Sequence, residues 1–449
     1  MVQNVAKAKT ENKAVEIGSY FQTMPFTKTH RKIGIALFMA FVIEAWEMMI
    51  IIMLSGSIAA EFNLTPVQVG SLIGSIFLGM IPGTYVGGII GDKIGRRKTI
   101  MYSLMLYGLV SLASAFSPNY ETLYALRMLS GFALGGVLAC IFPYYEEMLP
   151  VMTRGKAAVY LSAGWPIGTL IAVGLTSGLM NLHGIWGGWR AVLLVSSLAG
   201  LWAFVIARIP ESPYWLAGKG RTAEAKNILE QISEGHTKVP EDTQLAVYQV
   251  KQGSFFEIFK GAMFKTTALQ TIVNFAFSFG YWGLYTWIPT LLQQKGLSMG
   301  QSMSFVALSA VAQIPGYLVS AQLTSKFGRK KVMFSFVLFA AIFGFAFAYS
   351  QNITQLYILN FLLAFFSLGA WGVWNTWFGE IYPTNVRGVG YSWGVAGQRW
   401  ANTVAPSLIG FVISLGWAFG ATVSFIQIFM VITLITILFI KETEGEILH

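Results

Sequence analysis

Glu147, Pro150, Arg154 and Gly155 return 233 positions later as Glu380, Pro383, Arg387 and Gly388. The same shift, without a gap, lays Gly95-Arg96 over Gly328-Arg329, Leu123-Tyr124 over Leu356-Tyr357, and the Leu64-Thr65 turn over Leu297-Ser298. The chain is therefore an internal duplication, and its fold must be built from two copies of one architecture. Each copy holds six apolar runs, near residues 33–58, 66–90, 99–117, 121–146, 157–182 and 189–208, then 267–292, 300–324, 331–350, 352–378, 390–415 and 417–440. Runs of about 20 residues cross the hydrocarbon core of a bilayer as helices. Composition agrees, because 449 residues with 55% hydrophobic and 11% charged side chains cannot coat a water-soluble globule. Barrel strands would instead give short alternating segments. The expected fold is an all-α membrane protein with twelve transmembrane helices in two six-helix bundles. Its divisions are an N-terminal segment (1–32), a first bundle (33–208), a linker (209–266), a second bundle (267–440) and a tail (441–449).

A formal charge of +10 could suggest a nucleic-acid partner, but the placement of the cations argues for sidedness instead. With the N-terminal segment in the cytoplasm, the even-numbered connections and both tails hold 26 of the 30 Lys and Arg residues. Only Arg127, Arg190, Lys295 and Arg399 fall elsewhere, so both termini are expected to face the cytoplasm from a cell (inner) membrane crossed many times. Lys28, Arg31 and Lys32 precede the first span, and no removable signal is expected. Thr222 to Ile232 in the linker alternates apolar and charged residues at helical spacing and should form a short amphipathic helix. The lone Cys140 cannot form an intrachain disulfide, and His30, His183, His236 and His449 lie in tails or loops. No phosphate-binding loop or zinc-spaced cluster occurs, so neither an enzyme, a metal nor a cofactor is expected; protons are the candidate coupling ion.

Charges inside the spans are costly and mark function. Glu44 and Glu47 lie eleven and fourteen residues past Ile33, on one helix face near the midplane. A carboxyl taken out of water favours its protonated form, which makes them candidates for a proton site. Their repeat equivalents, Phe277 and Gly280, are uncharged. Arg127, about six residues into the fourth span, costs roughly 2.5–3.5 kcal/mol unless paired; it either faces the interior or snorkels outward. Arg399 in the eleventh span should meet a glutamate or an anion. With Gln398 and Asn402 beside it, Arg399 is the leading candidate to hold a substrate carboxylate. Tyr281, Trp282 and Tyr285, and Trp371, Trp374 and Trp377, recur at helical spacing on spans that also carry Asn274 and Asn375. Such stripes either pack or line a cavity; a cavity of this kind suits a small organic anion with a flat apolar body.

Gly88, Asp92, Lys93, Ile94, Gly95, Arg96 and Arg97 resemble the cytoplasmic signature of the major facilitator superfamily, and Arg127, Gly131 and Gly135 match a second pattern of that superfamily. The resemblance implies the two-bundle fold and a gate built on Asp92, Gly95 and Arg96, with Glu147, Arg154, Arg329, Glu380 and Arg387 in the paired loops. The second copy, Ser325-Lys326-Phe327-Gly328-Arg329-Lys330, lacks the acid, so the charge latch is expected mainly in the first half. Glu44-Ala45-Trp46-Glu47, Tyr281 to Leu292 and Gln398-Arg399-Trp400 resemble the aromatic acid and related metabolite/proton symporters over essentially all twelve helices, although that subfamily typically has aspartates in an Asp-Gly-x-Asp pattern. Pro210-Glu211-Ser212-Pro213 resembles sugar porters and organic ion transporters, but residues 270–279 lack the sugar porters' seventh-span glutamine pair.

These resemblances imply proton-coupled symport of a small organic anion, an aromatic or other carboxylate, by alternating access in a monomer within the lipid bilayer. Glu44, Glu47 and Arg127 would couple the proton. Arg399, Gln398, Asn274, Tyr281, Trp282, Trp374 and Asn375 would bind substrate. A sugar or organic-ion porter, an uncoupled facilitator, and more remotely a metabolite sensor signalling through residues 209–266 stay open as alternatives. Pro166 in the fifth span marks an expected kink.

Overall fold

The computed structural model describes residues 15–182, 187–240, 243–247, 254–383 and 386–443. His183, His449, Lys251 and the outermost parts of both tails lie outside the described residues. The first repeat forms α1 (Lys28–Phe62), α2 (Pro66–Ile94), α3 (Arg96–Ala115), α4 (Tyr120–Met148), α5 (Gly164–Leu179, preceded by Arg154–Ser162) and α6 (Trp189–Ser197, prolonged by Leu198–Trp202 and Ala203–Ile206). The second repeat forms α7 (Ala262–Tyr285, followed by Ile288–Gln294), α8 (Met299–Phe327), α9 (Arg329–Ala348), α10 (Ile353–Glu380), α11 (Arg387–Ser414) and α12 (Phe419–Ile437). Eight of these, α1, α2, α4, α6, α8, α9, α10 and α12, are long and apolar enough to cross a membrane on length and composition alone. Among the others, α3 opens on Arg96-Arg97-Lys98, α5 breaks at Ala163, α7 carries Gln270 and Asn274, and α11 holds Gln398 and Arg399. The break in α5 has a local cause, since Pro166 has no N–H to offer the Ser162 carbonyl.

The duplication reaches the chemistry of the helix ends. Thr65 and Ser298, 233 residues apart, close capping boxes with Gln68 and Gln301. Asn119 and Asn352 cap α4 and α10 by accepting from Thr122 N–H and Gln355 N–H, both at 2.9 Å. Packing repeats too: a Cβ on Gly83 would lie 2.2 Å from the Phe132 carbonyl oxygen, and one on Gly316 would lie 2.2 Å from that of Phe365. Only glycine lets α2 and α4, or α8 and α10, approach so closely.

The loops at residues 92–97 and 325–331 define the basic end of the molecule. At the opposite, far end the two bundles touch backbone to backbone. A Cβ on Gly70 would lie 2.2 Å from the Pro406 carbonyl oxygen, and one on Gly410 would lie 2.3 Å from that of Pro66. Ser71 Oγ and Ser407 Oγ are 3.3 Å apart across this seam. The interface between the bundles is therefore sealed at its far end.

Beneath the first bundle, residues of the polar N-terminal segment are ordered against the linker. Val15 and Glu16 pair in parallel with Leu245 and Ala246, and the short helix Ile17–Thr23 buries Ile17 and Phe21 completely. The amphipathic linker helix spans Thr222–Ile232 as the sequence pattern predicts, with Ala225, Leu229 and Ile232 buried.

Candidate functional site

The two midplane glutamates serve different partners. Glu47 lies inside the first bundle, where Arg127 Nη1 is 3.6 Å from its Oε2 and neither side chain has any exposure. Trp46 Nε1 donates to Glu47 Oε1 at 2.8 Å, the Ser196 hydroxyl also donates to Oε1, and Tyr107 OH lies 3.2 Å from Ser196 Oγ. Arg127 Nη2 in turn donates to Ser114 Oγ at 2.7 Å. Residues of α1, α3, α4 and α6 thus enclose one ion pair, and Arg127 faces the interior rather than snorkelling.

Glu44, one turn earlier on α1, is 2% exposed, and its Oε2 has no hydrogen-bond partner. The positive charge acting on it belongs to Arg399 of α11, in the other bundle, whose own field comes first from Glu44. Arg399 Nε is likewise buried without a partner, and no salt bridge within 4.0 Å joins the two among the described residues. Residues three apart on a helix differ by about 60° in direction. One glutamate can therefore enter the bundle while the other looks toward its counterpart.

The second bundle supplies a polar ladder. Asn274 Oδ1 accepts from Gln398 Nε2 at 2.7 Å and from Trp374 Nε1 at 2.9 Å, while Asn274 Nδ2 donates to the Gln270 carbonyl at 2.9 Å. With its amide turned to satisfy both ends, Asn402 donates to the Gln398 carbonyl at 2.9 Å and accepts from Trp282 Nε1 at 3.2 Å. The structure therefore brings Asn274, Gln398 and Trp374 together, bonded to one another inside the bundle. Asn375 is half-buried and stands apart from this ladder.

Aromatic residues bridge the bundles above the ladder. Trp282 packs edge-on against Phe77 at 4.8 Å and Trp165 at 5.6 Å, both from the first bundle. Tyr281 stacks on Tyr285 at 4.4 Å, meets Trp371 at 5.3 Å and accepts from Gln313 Nε2 at 3.3 Å. Between Trp165, Tyr281, Tyr285 and Gln313 remains a cavity of ≈ 20 Å³, room for about one water. Trp374 and Trp377 are buried, 1% and 0% exposed.

At the basic end each half carries its own ion pairs. In the first, Arg96 pairs with Asp92 and lies 3.5 Å from Glu147. In the second, Arg329 grips Glu380 through two hydrogen bonds of 3.0 Å, and Thr443 Oγ1 donates to the same carboxylate at 2.8 Å. The ion pairing is thus not confined to the first half: Glu380, the repeat equivalent of Glu147, holds Arg329 where Ser325 offers no acid, through a bidentate fork that Arg geometry favours. Arg154 Nε donates to the Leu149 carbonyl at 3.1 Å, and Arg387 Nε to the equivalent Tyr382 carbonyl at 3.3 Å.

Several site residues were not singled out from sequence. Tyr107, Ser196 and Gln313 carry no motif, and Trp165 stands beside the kink-forming Pro166 with no role drawn for it from sequence. Glu442 was missed although it holds the place after the second repeat that Glu211, in the Pro210-Glu211-Ser212-Pro213 segment, holds after the first. Glu211 accepts from the N–H groups of Arg97 and Ser212, and Glu442 from those of Arg329 and Lys330, all at 3.0 Å. Each carboxylate closes over a glycine with positive φ, Gly95 at 107° and Gly328 at 88°.

Residues 12–449 match the family described as sugar (and other) transporter. The chain is 31% identical to the niacin transporter of Acinetobacter baylyi, over 97% of this chain and 99% of that one. It is 24% identical to the 4-hydroxybenzoate transporter of Pseudomonas aeruginosa, over 90% and 91% of the two chains. Its fold matches the partially occluded, inward-open xylose transporter XylE from E. coli with a TM-score of 0.77 at 18% identity, covering 94% of this chain and all of that one.

Proposed function

This chain belongs to the sugar (and other) transporter family, within the major facilitator superfamily, and from that membership we propose that it carries a small organic anion by proton-coupled symport. The observation that carries this reading is the unjoined pair on opposite bundles, buried Glu44 and half-buried Arg399, whose Nε is enclosed without a partner. A substrate carboxylate bound at Arg399 would place two anions around one cation. Protonation of Glu44 removes that excess, so the anion and a proton enter together. The loaded site is neutral and the bundles can then rock about it.

The substrate class follows from the surroundings. Trp282, Trp165, Phe77 and Tyr281 offer ring faces and edges suited to a flat body, and Arg399 offers a fork for one carboxylate. Niacin and 4-hydroxybenzoate, the compounds named for the two relatives, are both flat rings with one carboxylate. The basic end faces the cytoplasm in this reading, following the distribution of Lys and Arg, in a cell membrane. With the far end sealed, the described conformation is inward-facing, and one chain is the transporting unit. Glu47 and Arg127 form the fixed half of the coupling machinery, behind Glu44.

Proteoliposome uptake tests this directly. Glu44→Gln should lose accumulation driven by an alkaline interior while keeping exchange of labelled for unlabelled substrate. Arg399→Ala should lose both. Undiminished proton-driven accumulation by Glu44→Gln would remove proton coupling at this residue. Intact uptake by Arg399→Ala would remove the anion anchor.

A further inference from the structure

The N-terminal segment does more than lie under the bundle. Phe21 is fully buried and stacks on Tyr214 of the linker, with centroids 5.2 Å apart and planes inclined by 26°. The guanidinium carbon of Arg154 sits 5.7 Å from the Phe21 ring and 5.8 Å from the Tyr214 ring. Arg154 Nη2 donates to Tyr214 OH at 3.1 Å while Nε holds the Leu149 carbonyl. No carboxylate lies within 4.0 Å of this arginine among the described residues. A gate cation is therefore held by two aromatic rings and two neutral oxygens. Cation–aromatic contact and planar stacking suit Arg better than Lys.

The clamp is tied down at both ends. Ahead of it, Val15 N–H donates to the Gln244 carbonyl at 2.8 Å and the strand pair forms. Behind it, Thr27 Oγ1 donates to the Ile232 carbonyl at 2.6 Å, and Thr29 N–H and Oγ1 donate to Glu234 Oε1 at 2.9 and 3.0 Å. Among the described residues the second repeat shows no counterpart: Arg387 keeps the carbonyl bond, but its Nη2 is buried without a partner. Both arginines occupy the same place in the duplicated loop, and among the described residues the aromatic clamp is present in the first half alone.

We infer that residues 15–29 are a strap that fixes Arg154 and thereby holds the basic-end loop of the first bundle in the far-end-sealed conformation. A transition that recruits the Arg154 charge to the opposite bundle must first break the clamp. Strap release then sets how often the far end opens. The inference concerns conformational exchange and does not depend on which substrate is carried.

Cysteine labelling tests it without substrate. Ser407→Cys is placed at the far-end seam in a Cys140→Ala background, and its modification by a membrane-impermeant maleimide is timed. Phe21→Ala, and separately removal of residues 1–23, should speed labelling several-fold; Phe21→Tyr should label at the parent rate. A second reporter, Ser130→Cys, lies wholly inside the first bundle and should stay protected throughout. Unchanged Ser407→Cys labelling in both weakened variants would overturn the strap. So would equal gains at both reporters, because general loosening rather than gate release would then be the cause. Should Phe21→Ala not accumulate in the membrane, Phe21→Leu, which keeps the apolar bulk but not the ring face, carries the same expectation and the same overturning result.

Discussion

Glu47 and Arg127 form an ion pair at 3.6 Å with no exposure of either side chain, inside a shell drawn from four helices of one bundle. Breaking a buried pair by removing one partner costs about 3–5 kcal/mol, because the other charge is stranded. Arg127→Met should therefore lower the melting temperature of detergent-solubilised protein sharply. Glu47→Gln combined with Arg127→Met should recover most of that loss, since neither charge remains. A double variant as unstable as Arg127→Met alone would show that the pair is not the source of the effect.

The glycines under Glu211 and Glu442 are a second point of strain. Gly95 has φ 107° and ψ 155°, a region essentially reserved for glycine, and a Cβ there would lie 2.3 Å from Glu211 Oε2. Gly95→Ala should cost about 1–3 kcal/mol from backbone strain and should also push Glu211 off the start of α3. Glu211→Ala made in the same chain should soften the penalty by clearing the space. Gly88→Ala serves as the reference, because nothing lies within 4 Å of a Cβ there. A thermal shift equal for Gly88→Ala and Gly95→Ala would contradict this account.

Much of the fold was legible because the duplication repeats physical devices and not only apolar runs. Thr65 and Ser298, Asn119 and Asn352, and Gly83 and Gly316 each occupy the same structural position at one constant shift. Glu442 escaped that comparison because it stands 231, not 233, residues beyond Glu211, and the local gap hid it. The division between Glu44 and Glu47 was also hidden. Helical spacing places both on one face, whereas their partners are fixed by which helices surround α1. Asn274, Gln398 and Trp374 were read as substrate contacts from residue type alone; only tertiary structure shows that Asn274 Oδ1 accepts from the other two. The ordering of Ile17 and Phe21 depends on a linker more than 190 residues away, so no local pattern announces it.

Asn274 yields a prediction that separates packing from binding. Asn274→Ala removes the acceptor of two buried donors, and each stranded group costs about 1–3 kcal/mol. Its melting temperature should fall with or without substrate present. Asn375→Ala, outside the ladder, should leave stability within about 0.5 kcal/mol, as surface-like positions do. If Asn274→Ala is as stable as the parent yet weakens substrate binding, Asn274 is a contact residue and not a scaffold for Gln398.

Docking of the strap should depend on pH at acid values. The Thr29 N–H bonded to Glu234 holds that carboxyl below its ordinary value of 4.5, helped by the Thr29 hydroxyl and by Lys28 and Lys32; His30 on the same helix also faces it. A carboxyl lowered in the folded chain stabilises it above the unfolded value, and that contribution is lost as pH falls through the lowered value. The Glu234 contribution to amide protection over residues 15–27, after correction for intrinsic exchange, should thus be constant from neutrality down to about pH 4.5 and be lost below it. Glu234→Gln should flatten the step.

The far-end seam gives a direct check on alternating access. Ser71 Oγ and Ser407 Oγ stand 3.3 Å apart on opposite bundles, close enough for cysteines there to bridge after small rotations of their side chains. Gly70 and Gly74 bring the backbones into contact on the same seam: a Cβ on Gly74 would lie 2.6 Å from the Thr403 carbonyl oxygen. In a Cys140→Ala background, Ser71→Cys with Ser407→Cys should form an intrachain disulfide under mild oxidant and stop uptake, and reduction should restore it. Gly70→Val acts in the opposite sense, because its side chain would strike the Pro406 carbonyl and hold the seam apart. That substitution should prevent the disulfide from forming. Rapid crosslinking with unimpaired transport would mean that the seam never opens during the cycle, and that substrate crosses by another route.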